Sequence, residues 1–166
     1  MLEALYNSPL GPLTLVAENA AITALDWRCP RADLDTPNDP LLLAASAQLD
    51  AYFKGQVITF DLPLKPAGSA LVRRVCAAMQ TIPYGQTVTY GAIATTIGSG
   101  PRAVGGACGR NPIPIIIPCH RVLGGSGKLT GFSGLGGLAT KKWLLELEQG
   151  APQFNLVKPA DTAQRF

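Results

Sequence analysis

The sequence predicts a mixed α/β fold of the α+β kind, with a sheet-and-helix first half and a mostly helical second half. Three observations carry this. Short apolar runs split by a turn lie near the start of the chain, helical periodicities succeed one another after residue 68, and the charge changes sign at that boundary. Residues 1–67 hold four Lys/Arg against eight Asp/Glu, a balance of −4, and residues 68–166 hold ten against three, a balance of +7.

In the first half, Leu13–Ala17 and Ile22–Trp27 read as strands joined by the turn "ENAA". The polar, proline-rich loop "CPRADLDTPNDP" follows. Leu41, Leu42, Ala45, Leu49, Tyr52 and Phe53 then recur at helical spacing, with Gly55 as a stop. Val57–Leu62 reads as a further strand and "PLKPAGS" as a linker. The expected division is 1–67 for a structural sheet-and-helix domain, 68–150 for a second domain and 151–166 for a weakly patterned tail.

Ser69 is suited to cap a helix from Ala70 to about Thr81. After the turn "PYGQ", Tyr90–Ile97 forms a short helix ended by "GSGP", and Pro101 opens the next, "PRAVGGACGR". Gly105 and Gly106 inside it cost roughly 1 kcal/mol each relative to alanine, which points to a surface that something approaches closely. Two short helices and a tight turn fit a helix-turn-helix, but from pattern alone a generic helical hairpin is the favoured reading. A last helix spans about Leu138 to Gln149, with Leu138, Trp143, Leu144 and Leu147 as its buried face and Gly150 as its stop.

The chain has 166 residues, 47% of them hydrophobic and 15% charged, which excludes a disordered class. No apolar run approaches the ~20 residues of a membrane helix, and the N-terminus lacks the basic and apolar regions of a secretion signal. The four cysteines, Cys29, Cys76, Cys108 and Cys119, form no C-x-x-C pair, and one histidine makes a zinc set hard to assemble. A cytoplasmic protein with free thiols is expected. The basic half suits a polyanion or a solvated basic surface.

The chemistry concentrates in "IPIIIPCHRV", Ile113–Val122. Cys76 and Cys108 sit among small apolar residues and read as core thiols, and Cys29 as exposed and incidental. Cys119 follows Pro118 and precedes His120 and Arg121, neighbours that promote thiolate character. In an extended strand adjacent side chains diverge, so His120 reaches the sulfur only through a sharp turn or a relaying water. A histidine base also needs an orienting group, and Glu146 and Glu148 on the last helix both qualify by spacing. Such a thiol could serve a Cys-His hydrolase, or accept a group from nucleic acid.

The stretches "IPYGQTVTYGAIA", "RAVGGACGRNPIPIIIPCHRV", "GKLTGFSG" and "KKWLLELE" resemble, in order and spacing, the methylated-DNA–protein-cysteine methyltransferases, over about residues 80–149. "SPLGPLTLV" and "LDAYFKGQ" extend the likeness in layout. The resemblance implies a ribonuclease-H-like N-terminal sheet with a helix, then a winged helix-turn-helix-like domain. It implies direct-reversal DNA repair: stoichiometric, irreversible transfer of a methyl or small alkyl group from guanine O6 in duplex DNA to Cys119, after base flipping.

Residue by residue, it makes Cys119 the acceptor, has His120 polarise it through water, and selects Glu148 over Glu146 to orient His120. Asn111 supports the site, and Tyr90 protonates the departing guanine and meets a phosphate. Arg102 fills the gap left by the flipped base, Gly105 and Gly106 admit the DNA closely, and Arg121 joins the DNA-binding set. Phe132, Ser133, Val122 and Pro118 line the base pocket. The resemblance implies no cofactor, and a monomer that assembles cooperatively on DNA or acts alone; zinc is known in some relatives, but their ligand residues are not reproduced in this sequence, so no metal is expected. The chain departs from the family's pattern at Ala70, Leu71 and Cys76, at Phe132 where a tyrosine is usual, and by about two extra residues at Leu135–Gly136. "GSGPRAV" is about two residues short. A non-catalytic sensor of alkylated DNA is the alternative reading, and a Cys-His hydrolase ranks last.

Overall fold

The structure is a computed structural model and describes residues 1–27, 33–56, 59–131 and 137–150. Three antiparallel strands, β1 (Leu2–Ser8), β2 (Gly11–Glu18) and β3 (Ala21–Asp26), form a sheet in the order β1-β2-β3. β2 extends the strand expected over Leu13–Ala17, and β3 is the one expected over Ile22–Trp27 displaced by one residue toward the N-terminus; β1, "LEALYNS", has no counterpart in the sequence reading, because only Ala4 and Tyr6 on one face are buried and its apolar signal is thin. The "ENAA" turn is a two-residue connection with Asn19 and Ala20 both at positive φ, 50° and 59°. That twist matches the twist of the flanking strands.

Helix α1 (Pro40–Phe53) covers the sheet. The Asp39 carboxylate caps it by accepting from the backbone N–H groups of Leu41 and Leu42, and Leu42, Ala45, Leu49 and Tyr52 form its buried stripe. The Tyr6 hydroxyl donates to Asp50 at 2.8 Å and ties β1 to α1. The strand expected over Val57–Leu62 is absent from its described part, residues 59–62. Instead Leu64 forms a single parallel bridge with Ile22, and Gln48 holds the Asp61 backbone from α1 through both amide groups. The apolar residues here pack against side chains and never enter a ladder.

The second half holds α2 (Ala70–Gln80), α3 (Tyr90–Ile97) and α4 (Pro101–Gly109), with Ser69, Thr89 and Gly100 as N-caps and Gly98 at φ 68° closing α3. Pro101 opens α4, as expected. A short parallel ladder, β4 (Val88–Thr89) with β5 (Val122–Leu123), links the start of α3 to the chain just after the cysteine. Its two residues per strand left no readable alternation. Helix α5 is Leu138–Glu148. Its buried face is Thr140, Lys141, Trp143, Leu144, Leu147 and Glu148; Leu138, expected inside, is 46% exposed because it opens the helix ahead of that stripe.

Buried side chains of both halves form one continuous core. Rings cross the seam: Tyr52 meets Tyr84 at 6.2 Å and Phe53 meets Trp143 at 6.0 Å between centroids. The Leu25 N–H donates to the Pro112 carbonyl at 2.9 Å, so β3 directly braces the loop that leads to Cys119. No helix among the described residues is long and apolar enough to cross a membrane.

Candidate active site around Cys119

The loop Asn111–Pro118 delivers the cysteine. Ile115 is fully buried and adopts φ 72°, a conformation that a β-branched residue reaches only under constraint. The constraint is Asn111. Its Nδ2 donates to the Ile117 carbonyl at 2.9 Å and its Oδ1 accepts from the Ile113 N–H at 3.0 Å, clasping the loop at both ends. The same side chain hydrogen-bonds Cys119.

Cys119–Arg121 then form one 3₁₀ turn. The backbone therefore turns sharply at the cysteine, so the divergence of neighbouring side chains in a strand does not apply. The Cys119 N–H donates to the Ile117 carbonyl at 2.9 Å and the Arg121 N–H to the Pro118 carbonyl at 3.0 Å. Cys119 is 8% exposed and His120 is fully buried.

The His120 Nε2 lies 2.6 Å from the Glu148 Oε1. A carboxylate only accepts, so Nε2 carries the proton and the neutral ring has its lone pair on Nδ1. That Nδ1 is buried and has no hydrogen-bond partner. Glu146, the other candidate, is on the surface beside Lys142. Three more donors hold Glu148. Arg121 Nε lies 3.1 and 2.9 Å from Oε1 and Oε2 and its Nη2 lies 2.8 Å from Oε1; Tyr52 donates to Oε1 at 2.8 Å; the Gly85 N–H donates to Oε2 at 3.3 Å.

Charge follows from these contacts. Burial alone would push the Glu148 carboxyl up, but the hydrogen bonds and charges of His120 and Arg121 outweigh it and hold it at about 2. Burial lowers His120, against the pull of Glu148, and the Arg121 and Lys141 charges lower it further. Burial raises the Cys119 thiol, and the Asn111 hydrogen bond, the Lys141 charge and nearby backbone N–H groups offset part of that. A protonated thiol is thus followed, in the same turn, by a neutral imidazole with an unused acceptor nitrogen.

Lys141 was not foreseen. It is fully buried with no carboxylate partner among the described residues, and its Nζ donates to the carbonyls of Thr130 at 2.6 Å and Gly131 at 3.1 Å and to the Tyr90 hydroxyl at 3.4 Å. Its spacing from Leu144 and Glu148 puts it on the buried face of α5, and that was the available signal. Tyr90 is half-buried, and its hydroxyl donates to the Thr130 carbonyl at 3.1 Å. Burial first, then negative charge on Cys108 or Cys119, pushes its phenol up to about 12, so it remains a proton donor.

Comparison with known proteins decides the lineage. The family described as "6-O-methylguanine DNA methyltransferase, ribonuclease-like domain" matches residues 1–66, and "6-O-methylguanine DNA methyltransferase, DNA binding domain" matches 70–150. The chain belongs to this methyltransferase family. The methylated-DNA–protein-cysteine methyltransferase of Methanosarcina acetivorans is 42% identical over 155 residues, 89% of this chain and 98% of that protein. The enzyme of the same name from Mycobacterium bovis is 46% identical over 149 residues, 86% of this chain and 89% of that one. The structure of Mycobacterium tuberculosis OGT in complex with DNA superposes with a TM-score of 0.80 at 43% identity, covering 99% of both chains.

Within this methyltransferase the remaining candidate residues divide. Arg102 is exposed in the first turn of α4, and a Cβ at Gly105 would meet nothing within 4 Å. At Gly106 it would meet only the Arg110 guanidinium, at 3.7 Å. The chain's own packing therefore requires neither glycine. Pro118 and Val122 are buried on either side of the 3₁₀ turn. Phe132, Ser133 and the Leu135–Gly136 insertion lie outside the described residues, as do Cys29 and the tail. Arg121 is a correction. Expected among the DNA-binding residues, it is 6% exposed, chelates Glu148, donates from Nη1 to the Ile82 carbonyl at 2.6 Å and lies over the Tyr84 ring. A buried carboxylate needs a paired cation, and Arg121 is that cation.

Proposed function

We propose that this methyltransferase repairs duplex DNA by direct reversal, moving a methyl or other small alkyl group from guanine O6 to its own Cys119. The observation that carries the reading is His120, next to the buried Cys119 in one turn, with its Nε2 committed to Glu148 and its buried Nδ1 unused. His120 Nδ1 takes the thiol proton through a water, and the thiolate attacks the alkyl carbon. The S–C bond forms as the C–O6 bond breaks, and the bonding electrons leave with the guanine. Tyr90 supplies a proton to the departing base and recovers one from the site, so that in net terms the thiol proton ends on guanine. The thioether has no leaving group that would restore the thiol, so each chain reacts once.

A base alkylated at O6 pairs poorly, which lowers the cost of turning it out of the stack. Arg102, exposed at the start of α4, fills the gap, and the bare Gly105–Gly106 surface lets that helix lie against the minor groove. Phe132, Ser133, Val122 and Pro118 bound the base pocket, and Asn111 keeps the cysteine loop in place. The protein acts without cofactor, as a monomer in the cytoplasm, a setting that keeps thiols such as Cys76, Cys108 and Cys119 free. The deciding experiment mixes the protein with duplex DNA holding one O6-methylguanine and measures peptide masses. One methyl on the Cys119 peptide, lost in Cys119→Ala, is expected. A bound but unaltered lesion would instead mark a lesion sensor.

A further inference from the structure

We propose that Tyr52, on α1 of the N-terminal half, is a positioning residue for the transfer: its hydroxyl orients Glu148 and through it His120. The inference rests on the function proposed above and extends the site into a half to which the sequence assigned only a bracing role.

The geometry is specific. Tyr52 is 1% exposed, so its hydroxyl must find a partner inside the protein. It reaches two groups, Glu148 Oε1 at 2.8 Å and His120 Nε2 at 3.4 Å, across 96 and 68 residues of sequence. Its ring is fixed by Phe53 at 5.4 Å, Phe60 at 5.5 Å and Tyr84 at 6.2 Å, so the hydroxyl arrives at a set point. Burial and the charge of Glu148 keep the phenol protonated, and it stays a donor across the working pH range.

Oε1 therefore accepts from Tyr52, His120 and Arg121 together. Each donor draws on the same negative charge. Every charged or titratable group near His120 then has a direction. Glu148 favours the imidazolium, Arg121 and Lys141 oppose it, Cys119 exchanges a proton with it, and Tyr84 touches it only through Glu148 and Arg121. The Tyr52 hydroxyl moderates Glu148 and holds it in line with Nε2. Without that hydroxyl, Glu148 pulls harder on His120 from a less fixed position, so the ring becomes more basic and less well aimed.

The chain has one histidine, so its imidazole signals are unambiguous in an NMR titration. Tyr52→Phe keeps the ring and its three aromatic neighbours. The His120 midpoint should rise by about half a pH unit or more. The single-turnover rate on methylated duplex should fall roughly tenfold, the size of one hydrogen bond to a charged group, with DNA affinity unchanged. Phe60→Leu, a packing control, should lower the Tm and leave the His120 midpoint in place. An unmoved midpoint in Tyr52→Phe overturns the proposal, and so does a midpoint that moves equally in Phe60→Leu. Should Tyr52→Phe not fold, wild-type 15N shifts decide: Nε2 must be protonated and Nδ1 not, and the reverse tautomer overturns it. The titration needs no transfer activity, so failure of the repair reading would be seen separately.

Discussion

Arg121→Met removes a buried cation and leaves a side chain of similar length. In the wild type Arg121 makes three contacts of 2.8–3.1 Å to the Glu148 oxygens and one of 2.6 Å to the Ile82 carbonyl. Glu148 is held at about 2 instead of its ordinary 4.5. At ~1.4 kcal/mol per pH unit, that depression corresponds to about 3 kcal/mol of stability at neutral pH. His120 and Arg121 share that depression, and removing one partner of a buried ion pair costs roughly 3–5 kcal/mol by mutational experience because the carboxylate's burial is left uncompensated. Domains are stable by only about 5–15 kcal/mol, so Arg121→Met should be marginally folded. Urea denaturation followed through Trp27 and Trp143 measures this. Arg121→Met with Glu148→Gln should be more stable than Arg121→Met alone, since the second change removes the stranded charge. A loss below about 1 kcal/mol, together with weaker duplex binding, would refute the reasoning and return Arg121 to the DNA surface.

Three further predictions concern the same network. Glu148 ionises more readily in the folded chain than in the unfolded one, so its contribution is fully present above about pH 4.5 and is lost as the pH falls toward 2; Glu148→Gln should flatten that limb in a urea series across the window. Lys141→Met removes a charge that lowers the Cys119 thiol, so transfer should slow several-fold at neutral pH and its profile should move to higher pH; an unmoved profile in single-turnover assays would show that the thiol does not feel this cation. Gly131 has φ 61° and a Cβ there would lie 3.1 Å from the Tyr90 hydroxyl, so Gly131→Ala should cost about 1 kcal/mol or more in a thermal melt and also slow transfer. A slower melt-free rate is the decisive part, because unchanged transfer would argue against Tyr90 as the proton donor.

Much of this molecule is legible in its sequence, and the gaps have physical causes. The Ser69 cap, the first-turn Pro101 and the stop at Gly98 bound their helices because they act on adjacent backbone groups. β1 and the β4–β5 ladder escaped because their pairing partners are distant and their own patterns are short. Cys119 and His120 are legible as neighbours in sequence, and family resemblance selects Glu148, which makes the 2.6 Å contact to His120. Arg121 was misassigned because a basic residue beside a nucleophile looks the same in sequence whether it faces solvent or a buried carboxylate. Tyr52 and Lys141 were legible as helical-face residues, but what their polar ends touch depends on tertiary packing.

The Glu148 carboxylate rides on α5 and is held by groups from α1, the loop at Gly85 and the 3₁₀ turn, so four parts of the chain meet there, α5 last in sequence. Synthesis delivers them in that order, so a nascent chain displays its cysteine before the helix that carries both Glu148 and Lys141. Until that helix docks, the imidazole has no anchor and the thiol no neighbouring cation, and stray electrophiles meet an ordinary protonated cysteine. For a protein whose nucleophile works once, late arming limits premature self-inactivation, and because α5 also brings Trp143, Leu144 and Leu147 into the core, the site is armed in the step that completes the fold.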